Sequence, residues 1–177
     1  TSRSSGASGG RSIPRAPGSS SGNLRPAANL GWVSATADEK LEAANWNLEP
    51  LVDGRGPEAV EQLLTEARDR AERFAETNKG RVADLDSAEL ADAMRELAEI
   101  HDLGGRAGSY AMLSFSLDTT DPERGARIQK ARELGAAIET QVLFFDLEWN
   151  HVADERVNEL LGDPELGFAA HHLRNLR

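Results

Sequence analysis

The chain has 177 residues, no cysteine and a formal net charge of −10. Its length suits one domain with a tail, and the absence of cysteine excludes disulfides, thiolate metal sites and a cysteine nucleophile. The longest run of bulky apolar residues, 142–145, is far shorter than the ~20 residues of a membrane-spanning helix, so we expect a soluble protein with no membrane partner. The absence of cysteine fits a cytoplasmic location.

Charge is distributed unevenly along the chain. Residues 1–30 contain four arginines and no acidic residue, whereas residues 31–177 contain 16 basic and 30 acidic residues, a net charge of −14. Such an acidic surface repels phosphate backbones, so we expect no nucleic-acid partner for the folded part. The chain begins with Thr1 rather than Met, which indicates a processed or partial protein.

Residues 1–30 are predicted to form a disordered tail. Sixteen of them are Ser, Gly or Pro, and so few are apolar that burial cannot offset the entropy of ordering the segment. Residues 31–56 follow as an irregular lead-in. In it we expect Trp46, Leu48 and Leu51 to dock on the helices, before residues 53–56 break the chain.

Residues 57–177 are predicted to form an all-α domain, a helical bundle or hairpin array of about five helices. The first helix runs from Pro57 to Asn78, with proline in its first turn and Gly80 as its stop signal. The second begins at Asp86 or Ser87, because Asp86-Ser-Ala-Glu89 has the spacing of a capping box.

The longest predicted helix covers about 122–151. Its apolar stripe repeats every three or four residues, through Ile128, Ala131, Leu134, Ile138, Val142, Phe145 and Trp149. Leu143, Phe144 and Leu147 widen this stripe, which predicts that the C-terminal half of the helix is buried on more than one side. A short helix over 154–161 and a final apolar segment over 164–177 complete the domain.

A glycine-rich segment, 103–122, joins the second helix to the longest one. Gly104 and Gly108 are separated by four residues, as are Gly105 and Ser109, so on a helix they form two adjacent ridges that lack large side chains. We expect the second helix to continue or kink through the glycines, and the segment to form a close-packed joint between the two helices. A Gly108→Leu substitution should then damage folding.

The four histidines offer little catalytic chemistry, since none precedes a glutamate and no HExxH zinc motif exists. His101 lies on the apolar face of the second helix and is predicted to be a hydrogen-bonded core residue, with a role as proton carrier as the alternative. Of His171 and His172, one is expected at the edge of the core and the other in water.

Glu148-Trp-Asn-His151 has the spacing of a di-iron ligand pair. Such a site needs a second Glu-x-x-His motif, which is missing, so a solvated helix end is the favoured interpretation. Ser109, Ser114 and Ser116 have no base at a recognisable spacing, and the glycines do not follow a strand. We therefore assign no catalytic, cofactor-binding or metal-binding residue to the chain.

Several segments between Trp46 and Arg177 nevertheless resemble a known family, in the same order along the chain. The chain is similar to the N-terminal region of oligoendopeptidase F type zinc metallopeptidases, of the actinobacterial kind, which are related to thimet oligopeptidase. The resembling segments are residues 46–51, 74–82, 106–113, 118–122, 143–149 and 171–174.

This resemblance implies a cytosolic, mostly helical peptidase that hydrolyses short peptides. Its catalytic zinc lies in an HExxH helix far toward the C-terminus, and its N-terminal helices form one wall of a deep substrate channel. The chain ends before that half, so no zinc ligand is assigned here and the chain alone is expected to be inactive. Its partners would be its own catalytic domain and short peptides. The alternative is an independent helical protein-interaction module without catalytic activity.

Overall fold

The structure, a computed structural model, describes residues 46–177. Local signals in the sequence determine where the helices of this part begin and end. These residues are all-helical and contain no strand, as predicted. The predicted tail, and residues 31–45 of the lead-in, lie outside the described residues. The helices are α1 (Ala59–Asn78), α2 (Ser87–Leu117), α3 (Pro122–Trp149), α4 (Asp154–Leu160) and α5 (Ala170–Asn175), with 3-10 turns at Glu49–Val52, Val82–Asp84 and Pro164–Leu166.

The two long helices begin at the aspartates that cap them. At the start of α2, Asp86 accepts the backbone N–H of Glu89 at 2.8 Å, and Glu89 accepts that of Asp86 at 3.1 Å, so the predicted capping box is confirmed. At the start of α3, Asp121 accepts the backbone N–H of Glu123 at 2.8 Å. Gly80 has a φ of +80°, which ends the segment after α1 as predicted.

The three long helices form an up-down-up bundle in which each packs against the other two. Short connections reverse the chain between successive helices, so α2 is antiparallel to both neighbours. An ion pair between Arg70 of α1 and Glu96 of α2 joins the first pair of helices at 3.3 Å. Phe74 of α1 packs against the rings of Phe144 and Phe145, with centroid distances of 5.7 and 5.9 Å.

The C-terminal segment closes one end of this bundle. The Trp149 indole is fully buried and donates a hydrogen bond to the carbonyl of Leu173 at 2.8 Å. The Arg177 guanidinium donates to the carbonyls of Trp149 and Val152, at 3.3 and 2.6 Å. The largest fully buried side chains come from all these elements: Trp149, Phe145, Leu64, Leu90, Ile100, Leu160, Leu166, Leu173, Val52 and Val82.

The α2–α3 corner is held by polar contacts rather than by close helix packing. Asp118 accepts the backbone N–H and the hydroxyl of Thr120 at 3.0 and 2.7 Å, and these hydrogen bonds lower the pKa of its carboxyl group. Arg124 donates to the carbonyl of Ser114 at 2.8 Å and so spans the turn. These hydrogen bonds therefore explain how the turn between α2 and α3 is held in place.

The predicted close-packed glycine joint is wrong. Helix α2 continues without a break through the glycines, but a Cβ atom at Gly104, Gly105 or Gly108 would meet no neighbouring heavy atom within 4 Å. No other part of the described chain approaches these positions closely. The packing reason for expecting Gly108→Leu to damage folding is therefore lost.

Several apolar residues that were assigned to the core lie on the surface. Trp46 is 68% exposed, although Leu48 and Leu51 pack against the core as expected. Leu143 and Leu147 are also more than half exposed, whereas Phe144, the third residue that widens the apolar stripe of α3, is buried as expected. Of the residues described, no helix is long and apolar enough to cross a membrane.

Candidate functional site

An apolar groove lies between α2 and α3 on the surface of the bundle. Met94 and Leu97 from α2 and Val142 from α3 form its buried floor. Leu143 and Phe168, which are 51% and 57% exposed, form its sides. This cavity has a volume of about 330 Å³, so it has room for a large apolar side chain.

Titratable side chains surround the floor of this cavity. They are His101, Glu139, Asp146 and His172, from α2, α3 and α5. The His101 imidazole lies 3.9 Å from the Glu139 carboxylate, a distance too long for a direct hydrogen bond. The guanidinium of Arg95 lies 5.2 Å from the centroid of the Phe168 ring and covers one face of it.

A second cavity extends the groove along the same two helices. It is lined by Gly104 and Gly105 of α2 and by Gly135 of α3, and its volume is about 340 Å³. His101 and Glu139 line both cavities, so the two cavities adjoin and are described together as one groove. We call it the α2/α3 groove, lined by Met94, Leu97, His101, Gly104, Gly105, Gly135, Glu139, Val142, Leu143, Asp146, Phe168 and His172.

The predicted positions of His101 and of one of the pair His171 and His172 are wrong, because none of these histidines is buried. His101 is exposed at the α2/α3 groove and makes no hydrogen bond that would mark it as a core residue. His171 and His172 are both exposed as well, so neither lies at the core edge. His171 contacts the Asn175 side chain at 3.0 Å, and His172 lies at the rim of the groove.

Glu148 and His151 serve separate structural contacts instead of forming a ligand pair. The Glu148 carboxylate accepts the backbone N–H of Gly80 at 2.8 Å and that of Val82 at 3.3 Å. His151 lies just after α3 and contacts the end of that helix, with Nδ1 at 2.6 Å from the carbonyl of Leu147. The interpretation of a solvated helix end therefore fails for Glu148, which fastens the α1–α2 connection to α3.

A second polar cluster joins α2 to the turn at the start of the described chain. Arg106 donates to the carbonyl of Leu51 at 3.1 Å and pairs with Asp53 at 2.5 Å and with Asp102 at 3.4 Å. The nearby guanidinium lowers the pKa of the Asp53 carboxyl group, and the carboxylates raise the pKa of Arg106. Asp53 adopts a left-handed φ of 54°, so the contact holds a sharp turn in place.

Within residues 46–177, no three His, Asp or Glu side chains converge in a way that could hold a metal ion. Ser116 donates its hydroxyl to the carbonyl of Met112, and the structure pairs none of the three candidate serines with a histidine.

Sequence reasoning missed the α2/α3 groove, although part of its signal was present. Leu143 and Leu147 fall outside the main apolar stripe of α3, but a wide stripe is also typical of a helix that is buried on two sides. Phe168 lies in a short irregular segment, where periodicity says nothing about exposure. In comparisons with known proteins, no family model, no curated protein and no solved structure matched the chain.

Proposed function

We propose that this chain is the N-terminal helical domain of a zinc-dependent oligoendopeptidase and contributes a wall of its peptide channel. The proposal rests on the segments between Trp46 and Arg177 that resemble this peptidase family and occur in the same order along the chain. One structural observation supports it most. Met112, Leu143 and Leu147, which lie within the resembling segments, are each more than half exposed. Such side chains are available to face a channel or an adjoining domain.

The packing of the described residues supports this proposed role. A wall must be rigid and must present a surface, and a bundle with buried aromatic contacts and capped helices meets that requirement. Peptide hydrolysis would need the zinc and the catalytic residues of a further domain. In this proposal the partners are that catalytic domain and short peptides, and the compartment is the cytoplasm.

The test compares this chain with the longer protein that its gene would encode. The chain alone should not cleave a quenched fluorescent peptide at any zinc concentration, whereas the longer protein should cleave it and lose activity with a chelator. Chelator-sensitive cleavage by the pure 177-residue chain would refute the proposal. A reading frame that continues past Arg177 without an HExxH motif would refute it as well.

A stand-alone helical interaction module is the second candidate, favoured by the α2/α3 groove itself. An exposed groove with an apolar floor is sufficient for binding and needs no catalytic domain. A stop codon directly after Arg177, together with a stable complex formed by the chain alone, would favour this alternative over the peptidase.

A further inference from the structure

The α2/α3 groove has the dimensions and the chemistry of a helix-binding site. From Met94 to Gly105, α2 advances eleven residues, which corresponds to roughly 16 Å or three helical turns. The Phe168 end offers an apolar pocket, and the glycine end offers three positions without side chains. An apolar anchor fits the first part, and a close backbone approach fits the second.

The glycines need an explanation that packing within the described chain does not supply. Glycine inside a helix costs about 1 kcal/mol relative to alanine. Gly104, Gly105 and Gly135 all lie inside long helices, yet added Cβ atoms would meet no neighbour within 4 Å. Where they line the groove, the missing side chains leave room for the close approach of another backbone.

The bundle itself favours a helical occupant over an extended one. Two packed helices have a groove on either side, and α1 packs against both α2 and α3. No residue of α1 lines the α2/α3 groove, so this groove is the second one. The segment that contains Ala169 and His172 already lies at one end of it. A helix continuing toward Gly105 would repeat the packing that α1 uses on the other side.

The charged residues that line the groove indicate which charge a bound helix should carry. Glu139 and Asp146 line it, and among residues 46–177 neither carboxylate forms an ion pair with an arginine or a lysine. Arg95, next to Phe168, is already paired with Asp92 at 2.7 Å. A lysine or arginine beside an apolar stripe would complement these two carboxylates. A second copy of this acidic chain would instead be repelled.

We propose that the α2/α3 groove binds a positively charged amphipathic helix of about three turns. Its apolar stripe lies on Met94, Leu97 and Val142, between Leu143 and Phe168. Its backbone approaches the helices at the glycines, and its basic residues pair with Glu139 and Asp146. This inference does not rest on the proposed peptidase function, and peptide cleavage plays no part in its test.

The test uses the full 177-residue chain and a labelled 14-residue synthetic helix, with leucines on one face and lysines beside them. A matched peptide carries glutamate in place of each lysine. Fluorescence anisotropy should show about tenfold tighter binding of the basic helix, because the acidic peptide places like charges opposite the groove. Equal affinity for the two peptides would overturn the proposal.

Two glycine variants then locate the site. Gly105→Leu fills the groove and should weaken binding of the basic helix about tenfold or more, with an unchanged circular dichroism spectrum. Gly108→Leu makes the same change in the same helix, at a glycine that lines neither cavity, and should bind like wild type. Loss of binding in both variants, or in neither, would contradict the proposal.

A carboxylate variant tests the selection by charge. Glu139→Gln combined with Asp146→Asn should weaken binding of the basic helix by about threefold or more, whereas Glu133→Gln on the same helix should not. Unchanged affinity in the double variant would overturn the assignment of a basic partner. If light scattering shows a dimer that Gly105→Leu dissociates, the occupant is a second copy and the proposal is wrong.

Discussion

Glu148 shows how a residue can match a metal-ligand spacing and serve another purpose. Its carboxylate accepts two backbone N–H groups of the α1–α2 connection, at Gly80 and Val82. Those donors belong to a turn that a left-handed glycine has opened, so the helices alone would leave them unpaired. Glu148 follows Gly80 by 68 positions and Val82 by 66, so no local sequence pattern could predict these two hydrogen bonds. The spacing to His151 is therefore accidental.

We expect Glu148→Ala to lower the free energy of unfolding by about 1–3 kcal/mol, because two backbone donors lose a charged acceptor. Glu148→Gln should lose less, since its amide oxygen still accepts one of the two hydrogen bonds. Urea unfolding measures both values. Glu76→Ala, an exposed glutamate for which the structure shows no hydrogen bond, is the control; equal losses for Glu148→Ala and Glu76→Ala would contradict the assigned role.

Asp53 should contribute to the decrease in the free energy of unfolding at acidic pH. Its pKa is lowered in the folded chain by the adjacent Arg106 guanidinium. A lowered folded pKa means that the contribution is present above the unfolded pKa of about 3.9, and is lost as the pH falls through the folded value. Asp53→Asn, which tolerates the left-handed φ, should therefore flatten the stability curve below about pH 4.

Thermal unfolding between pH 2 and 7 checks this expectation about Asp53. Asp84→Asn replaces an exposed aspartate for which the structure shows no ion pair, and serves as the matched control. Curves for Asp53→Asn and wild type that run parallel down to pH 2 would show that the Arg106 contact does not bias the titration of Asp53.

The glycines of α2 lower the stability of this helix, and no packing contact within the described chain compensates for that loss. Gly108→Ala should raise the free energy of unfolding by up to about 1 kcal/mol, because alanine favours the helix and its Cβ meets no neighbour within 4 Å. Gly80→Ala should lower it by about 1–2 kcal/mol, since φ at that position is +80°. Denaturant unfolding compares them, and shifts of the same sign would refute this interpretation.

The contact between α3 and α5 depends on the indole of Trp149. Trp149→Phe removes the hydrogen bond to the Leu173 carbonyl and part of a fully buried ring, so we expect a loss of about 2 kcal/mol. Trp46→Phe changes a side chain that is mostly exposed and should cost almost nothing. Circular dichroism during urea titration measures both variants, and a similar midpoint for the two would contradict the assigned contact.

At the scale of the whole molecule, α1 joins the other two long helices into one cooperative unit. Phe74 packs against both phenylalanines of α3 while α1 also packs along α2. Phe74→Ala should therefore cost about 3–5 kcal/mol. Near- and far-ultraviolet circular dichroism should still report a single transition.

The exposed Leu147 provides the control for Phe74, because truncating it to alanine should leave the stability nearly unchanged. Separate transitions at the two wavelengths in Phe74→Ala would show that α2 and α3 unfold independently of α1. They would also show that the three-helix unit is less cooperative than its packing indicates.

The candidate site was accessible from the sequence only in part. Leu143 was visible as an apolar residue beside the main stripe of α3, and the glycines were visible as positions suited to close approach. The exposure of Leu143 and of the glycines could not be predicted. The apolar stripe of a helix has the same spacing whether its partner is another part of the chain or a separate molecule. His101 was misplaced for the same reason, since periodicity assigns a face but not what covers it.

The helical class, the starts of the two longest helices and the end of α1 follow from local chemistry in the sequence. The Asp86–Glu89 capping box, Asp121 before Pro122 and the left-handed Gly80 act within a few residues of the ends they set. Only the tertiary structure decided which apolar surface stayed open and where Glu148 binds. Both depend on how α1, α2 and α3 pack together, which no short stretch of sequence encodes.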